Sequence, residues 1–389
     1  MKRRGAVSAL GLLALVWALV GPGLTPTDVT ARSVCMTVLD VGQGDAILLE
    51  LQGQHWLVDG GGAPGTRRDL GVERVLPALR ARGIDRLDRV VLTHGDADHI
   101  GGLFAVLEQL EVGALVVPTR GRVSGAERML IGLAERRGVA VHVVDEGAEL
   151  GPLPGAVHGR LLHPRPGWTG PNGDRNAGSV VFVVGLGGVD FLLTGDIEAE
   201  TERELVALGL VPRSAVLKLA HHGSRTSTTP VFLDAVDPLV AVAGAGRDNR
   251  FGFPHRGVTS RLDERDTRLF WTGRDGPVRV CTDGFGLRAT AADPRRPLAA
   301  PWSATSAEVA AWRSTRPSAP PAGLHVAAPG ATGPKGARTA RRRAHRARAP
   351  ARAKAPEPRA PQAVPPPTLL STKEWERKRR SSRMKAPWK

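Results

Sequence analysis

Two imidazoles and two carboxylates fall within six positions of the segment Thr93-His94-Gly95-Asp96-Ala97-Asp98-His99-Ile100-Gly101-Gly102. Imidazole nitrogen and carboxylate oxygen are the donors that zinc and manganese take. Any one such histidine is more often a surface or packing residue. Four ligand-type side chains in so short a run, between glycines that let the backbone turn, point instead to one or two divalent ions. The run follows the apolar stretch Arg89–Leu92 and precedes a helix, which places it on a loop at the end of a sheet, where side chains can converge.

Further donors follow along the chain. Asp196, at the end of Phe191-Leu192-Leu193-Thr194-Gly195-Asp196, has two carboxylate oxygens that could face two ions; alternatively it caps a following helix. The strand Val216–Ala220 runs into His221-His222-Gly223-Ser224. Neighbours on an extended strand point to opposite sides, so one of the two histidines is expected at the ions, and His222 is the choice. His221 could donate a proton, orient a ligand or pack. Asp40 reads as a turn residue, whereas Asp45 and Asp59, beside glycines at strand ends, could support the ligands from behind. Lys218 could reach a phosphate, although a lysine beside a strand is usually solvated.

These residues need strand ends to carry them. Between Ser33 and Ala292 short β-branched runs alternate with helical stretches. Strands are expected at Val34–Leu39, Ala46–Leu51, Trp56–Val58, Arg89–Thr93, Ser179–Val184, Val189–Thr194, Ala215–Ala220, Leu239–Ala243 and Val278–Thr282, among others. Helices are expected at Gly71–Arg82, Gly102–Leu110, Gly125–Arg137, Ile197–Leu208 and Thr229–Ala235. This order argues α/β layers rather than a helical bundle.

The termini differ from this middle part. Met1–Arg4 is basic and Ala6–Val20 almost unbrokenly apolar, the pattern of a signal peptide or membrane anchor within residues 1–32. Residues 301–389 are rich in Ala, Pro, Arg and Ser and are expected to be a disordered tail. That segment holds 20 Lys and Arg and four acids, so it carries the whole net charge of +16 and leaves 34 bases and 34 acids in residues 1–300. Residues 1–300 are therefore neutral overall. The tail, with Trp375 and Trp388, could contact a membrane or nucleic acid, or remain solvated. Two cysteines, Cys35 and Cys281, exclude a disulfide-rich scaffold and a four-cysteine zinc site, and whether they pair is left open.

In this order the motifs resemble the metallo-β-lactamase superfamily, specifically the hydrolase domain of ComEC-type DNA-internalisation proteins. Leu39–Ala46 is similar to that family's opening signature. Thr93–Gly102 resembles its metal motif with Asp96 in place of the usual second histidine, and Asn176–Val181, Leu193–Asp196 and Leu217–Ser224 resemble its later blocks. The resemblance implies an αββα sandwich with the metal site where strand ends of both sheets meet. It implies a metal set of His94, Asp96, Asp98, His99, Asp196 and His222, with Asp98 also holding the attacking water. Asn176 and Ser179 stand where other branches place a further histidine and could touch substrate. At Phe253-Pro254-His255 the chain departs from the His-Pro-His of relatives, leaving His255 as a late ligand or phosphate contact.

The expectation is a metal-dependent phosphodiesterase with two divalent ions, acting on DNA or another phosphodiester, secreted or anchored outside the cytoplasm. Three aspartates among six ligand positions favour manganese, with zinc the alternative. The competing readings are a hydrolase of a small ester or lactam, favoured by the domain's neutrality, and a non-enzymatic binder of nucleic acid or envelope. A complete transporter of the resembled type also needs a many-helix channel. With at most one candidate span here, the chain is expected to be either a separate relative or part of a longer gene.

Overall fold

The computed structural model describes residues 32–118, 123–144, 150–165, 168, 174–291 and 301–315. The expected signal or anchor at Ala6–Val20 and the expected tail beyond residue 315 lie outside them. No helix among the described residues is long and apolar enough to cross a membrane.

Two sheets carry the fold. The first comprises β1 (Val34–Val38), β2 (Ile47–Leu51), β3 (Gln54–Val58), β4 (Arg86–Val91), β5 (Glu111–Val117), β6 (Ala140–Val143), β13 (Val278–Thr282), β14 (Leu287–Ala291) and β15 (Trp302–Ala304), in the order β15-β14-β13-β1-β2-β3-β4-β5-β6. The second comprises β7 (Val157–His163), β8 (Val181–Leu186), β9 (Val189–Leu193), β10 (Val216–Lys218), β11 (Val240–Ala243) and β12 (Arg268–Trp271), in the order β12-β11-β10-β9-β8-β7. A π-helical turn, Gly71–Val75, leads into α1 (Leu76–Arg80), followed by α2 (Ala97–Ile100), α3 (Leu103–Gln109) and α4 (Gly125–Arg136). Beside the second sheet come α5 (Ala199–Ala207), α6 (Pro230–Val236) and α7 (Arg256–Asp263), then α8 (Thr272–Asp275) and the late α9 (Ser306–Ser314).

Side-chain alternation explains the layering. Along a strand successive residues face opposite sides. Thus Ile47, Leu49 and Leu51 of β2 join Phe182 and Val184 of β8 and Val240 and Val242 of β11 in the core between the sheets. Leu48 faces the other way, into a second core with Val75, Leu79 and Leu103 from the helices. Val181, Val183, Ala241 and Ala243 likewise turn to a third core with Leu205, Phe232 and Leu262. Central strands buried on both faces are apolar throughout, and their runs were readable for that reason. The result is the expected α/β arrangement of helix, sheet, sheet and helix layers.

The boundary expected near residue 292 falls too early. β15 pairs antiparallel with β14, Val309 of α9 is fully buried, and the Trp312 indole Nε1 donates to the Asp237 carbonyl at 2.8 Å. A composition average over residues 301–389 hid these local apolar anchors at its start. The two cysteines pair: β1 and β13 place Cys35 directly opposite Cys281, and the disulfide joins residues 246 apart in sequence.

Candidate metal centre

The sequence motifs meet at one edge of the sandwich. Asp45 precedes β2, Asp59 follows β3, and His94 to His99 follow β4 in the first sheet; Asp196 follows β9 and His222 follows β10 in the second. Strands β3 and β4 run parallel, as do β9, β10 and β11, so their carboxyl ends open on a common edge. Crevices at such ends are where α/β sheets bind ligands. The two loops of the first sheet touch closely. A Cβ on Gly44, whose φ is +114°, would lie 2.1 Å from the Asp98 carbonyl oxygen, which explains the glycine of the Asp40–Asp45 motif.

Asp196 is the hub. Its Oδ2 lies 3.2 Å from His99 Nε2, 3.3 Å from His222 Nε2 and 3.9 Å from His94 Nε2. His99 Nε2 and His222 Nε2 are 3.3 Å apart. The helix-cap alternative for Asp196 does not hold, because the N-cap of α5 is Glu198 and the Asp196 side chain is buried among the imidazoles. Asp98 sits at the mouth, its side chain 24% exposed and Oδ2 3.6 Å from His222 Nε2. Asp96 lies further out, 3.9 Å from His94 Nε2 through one oxygen and paired with Arg175 through the other.

The histidine pair departs from strand geometry. The strand stops at Lys218, and Ala220–Gly223 coil into a 3-10 turn in which His221 and His222 both take left-handed backbone angles, φ 48° and 56°. The rings therefore do not point to opposite sides of a sheet. His222 is buried in the cluster, whereas His221 keeps 23% of its side chain exposed, with Nε2 3.9 Å from Asp196 Oδ2 and Nδ1 3.0 Å from Glu198 Oε1.

Behind the hub, Asp59 Oδ2 is 2.8 Å from His99 Nδ1 and accepts the Thr93 hydroxyl at 2.7 Å, while Oδ1 accepts the Thr93 N–H at 2.8 Å. Such a partner on one ring nitrogen fixes the tautomer and turns the other toward the cluster. Asp45 stands behind His222, its Oδ1 3.4 Å from Nδ1, and ion-pairs through Oδ2 with Lys218 Nζ at 2.6 Å. Lys218 is thus neither solvated nor open to a phosphate: it is 1% exposed and also donates to the Leu219 carbonyl. Local reading could not see this, because the carboxylate comes from the other sheet.

Two other expectations change, those for Ser179 and His255. The Ser179 hydroxyl is buried and accepts the Asp196 N–H at 3.1 Å, so it positions the hub rather than touching substrate. Asn176 forms part of the turn beneath it, its carbonyl accepting the Ser179 N–H. His255 caps α7, with Nδ1 accepting from the Gly257 N–H at 3.1 Å, and is no member of the cluster. Asp40 is a turn residue as expected, accepting the Gly42 N–H. Sequence reasoning passed over Thr93, Glu198 and Arg175; Thr93 and Glu198 flank motif residues, which was the available signal.

Electrostatics follow from burial and charge. Burial disfavours a charged His99, but Asp196 and Asp59 outweigh it and hold the imidazole well above its ordinary pKa. The same balance, with Asp196 and Asp45, raises His222. For Asp196 burial favours the neutral acid, yet His222 and His99 hold it well below the usual carboxylate range. His94 shifts down, because burial and the neighbouring His99 both oppose its charge.

The donors fit a divalent ion. Asp45, His99, Asp196 and His222 each offer one atom within 4.8 Å of the others. Since Lys218 already matches the charge of Asp45, the remaining three are the ones that could act as donors, with Asp45 behind them. His94 Nε2 and Asp196 Oδ1 are buried without a hydrogen-bond partner. Unpaired buried polar atoms cost about 1–3 kcal/mol each, and an ion accepting their lone pairs removes that cost. A mixed nitrogen and oxygen set suits zinc or manganese.

Residues 39–247 match the family model described as the metallo-beta-lactamase superfamily. The ComE operon protein 3 of Bacillus subtilis is 32% identical over 255 residues, covering 62% of this chain and 32% of that protein. Competence protein ComA of Neisseria gonorrhoeae is 32% identical over 265 residues, covering 68% and 34% respectively. The chain thus spans about a third of the length of these relatives. Among solved structures, a diphosphatase from the PhnP family aligns with 62% of this chain and 94% of its own at 13% identity, with a TM-score of 0.37.

Proposed function

Because this chain belongs to the metallo-β-lactamase superfamily, we propose that it is a divalent-metal-dependent phosphodiesterase that hydrolyses DNA outside the cytoplasm. The observation that carries this reading is the set of His94, His99, Asp196 and His222 around two orphaned buried donor atoms. A divalent ion supplies charge to polarise a phosphoryl oxygen and to acidify water near neutral pH. His94, His99, Asp196 and His222 would hold it, with Asp98 and Asp96 as further ligands. Manganese is favoured by the number of carboxylates, with zinc as the alternative.

The chain's own groups then divide the proton traffic. Asp98, part-exposed beside His222, accepts at Oδ2 the proton of the attacking water. His221 reaches solvent, is oriented through Nδ1 by Glu198, and donates from Nε2 to the departing oxygen. DNA as substrate draws support from the competence proteins that share the domain. An oxidising compartment draws support from the Cys35–Cys281 disulfide, since such bonds persist mainly outside the cytosol. The basic segment beyond residue 315 would tether the domain to an anionic surface or to the DNA itself.

The test incubates the purified chain with linear and circular DNA in Mn²⁺ or Zn²⁺, beside Asp98→Ala and Asp196→Ala. Metal-dependent cleavage lost in both variants is expected. Turnover of generic phosphodiesters without any DNA cleavage would refute the nuclease reading, and failure to bind either ion would refute the metal centre.

A further inference from the structure

The loop after β11 carries an unusual surface in a chain with only eight Phe and no Tyr. Phe251 and Phe253 stack with centroids 5.4 Å apart and planes 19° from parallel, and Phe251 is 49% exposed. The Arg250 guanidinium lies 4.8 Å from the Phe251 centroid. At the inner end Phe253 meets the metal centre, 5.7 Å from the His221 ring and 6.4 Å from the His222 ring. Arg250, Phe251 and Phe253 form a ladder leading from the cluster to solvent.

The ladder is held in place. Asn249 donates to the Gly246 and Phe253 carbonyls, both at 2.7 Å, and its Oδ1 accepts the N–H groups of Phe251 at 3.2 Å and Phe253 at 2.9 Å. The His255 N–H donates to the Gly223 carbonyl at 2.8 Å, which ties the loop to the histidine turn. That approach is close enough that a Cβ on Gly223 would meet Pro254 at 2.8 Å. A large apolar ring fixed half in water at the rim of a polar site is not explained by packing, because folding alone gains nothing from exposing it.

We propose that Phe251 and Phe253, with Arg250, form a stacking platform for an unpaired nucleobase of the strand whose phosphodiester lies at the His99–Asp196–His222 cluster. Every base offers a π-face, so aromatic rings and guanidinium planes bind single strands with little sequence preference. A base inside a duplex has both faces occupied by its neighbours and cannot extend the ladder without leaving the stack. A cavity lined by Glu198, the partner of His221, also holds Asp174, Glu200, Arg203 and Glu204, the last paired with Arg165. A strand stacked on these rings lies along the Phe251 side, and the enzyme selects single-stranded over duplex substrate. This deepens the phosphodiesterase reading and rests on it.

The test uses the full chain with Mn²⁺, a short single-stranded oligonucleotide, and an abasic counterpart of equal length and charge. Wild type is expected to show a KM about 10-fold lower for the base-bearing strand. Phe251→Ala should bring the ratio of the two KM values close to one, and Phe251→Trp should preserve it. Phe285→Ala is the control, because that ring is 66% exposed on the hairpin after Thr282, which pairs with Val34 at the end of β1 away from the metal centre. An unchanged ratio in Phe251→Ala, or a wild type indifferent to bases, overturns the platform. Should neither strand be hydrolysed with Mn²⁺ or Zn²⁺, the phosphodiesterase reading fails by itself. Fluorescence anisotropy of the same two strands then decides the platform: a base preference lost in Phe251→Ala supports it, and equal binding of both strands by wild type overturns it.

Discussion

Two buried aspartates stand behind the two central imidazoles, and they work differently. Asp59 is saturated by short directional bonds, two from Thr93 and one with His99. Asp45 reaches its imidazole only at 3.4 Å, leaves Oδ1 and His222 Nδ1 without hydrogen bonds, and spends its charge on Lys218. The first is a geometric clamp that sets the tautomer and aim of His99. The second is an electrostatic counterweight: Lys218 matches one negative charge in a cluster of carboxylates and leaves the orientation of His222 to Asp196 and the left-handed turn. Within one cluster, then, one imidazole is positioned by hydrogen bonds and the other by backbone conformation and charge balance.

The largest expected effect comes from breaking the clamp. Asp59→Ala strands His99 Nδ1 and both Thr93 donors in the interior and is expected to lower unfolding stability by about 4 kcal/mol, read by urea denaturation of the metal-free chain. A loss below about 1 kcal/mol would mean the clamp is no tighter than the counterweight. Next, Lys218→Met leaves Asp45 buried and uncompensated, at a cost of about 3 kcal/mol. Adding Asp45→Asn should recover most of that loss, since removing both charges is far cheaper than removing one. No such recovery is available at Asp59, whose partners are neutral or shared.

The smallest effect uses a third buried histidine as reference. His163 donates from Nε2 to the Ala177 carbonyl at 2.8 Å, makes no hydrogen bond or ion pair with a carboxylate among the described residues, and packs edge-on against Trp168. Burial pushes its pKa down to about 4, opposite in direction to His99 and His222. Between about pH 6.5 and 4 the unfolded chain binds this proton while the folded chain does not. Its contribution is therefore complete above about pH 6.5, is lost as pH falls toward 4, and amounts to about 2–3 kcal/mol. His163→Gln should flatten that part of the stability profile. If the profile is unchanged, the absence of a carboxylate is not what separates the three imidazoles.

How much was legible depended on where the signal lay. β8 and β11 were readable because strands buried on both faces are apolar throughout, while β3 and β4 were readable only at their apolar C-terminal ends, Trp56–Val58 and Val90–Val91. α7 was missed because only Val258 and Leu262 face the core among polar neighbours, and its cap is a histidine. β14, with its exposed Arg288, β15 and α9 were missed because their apolar residues are sparse beside a low-complexity segment. At the site, the segment His94–His99 was readable because its donors are adjacent in sequence. The division of labour between Asp45 and Asp59 was not, since each aspartate meets its imidazole from 40 or more residues away.

The sequence by itself determined the donor types, their place at strand ends, and the layered α/β class, because hydrophobic alternation and glycine-bounded turns are local properties. Only the tertiary structure decided that Lys218 is buried against Asp45, that Cys35 faces Cys281, and that Phe253 lies beside the His222 ring. Each of these depends on which strands become neighbours and in what register. That choice is made by packing two sheets over a shared core, and no short window of sequence contains it.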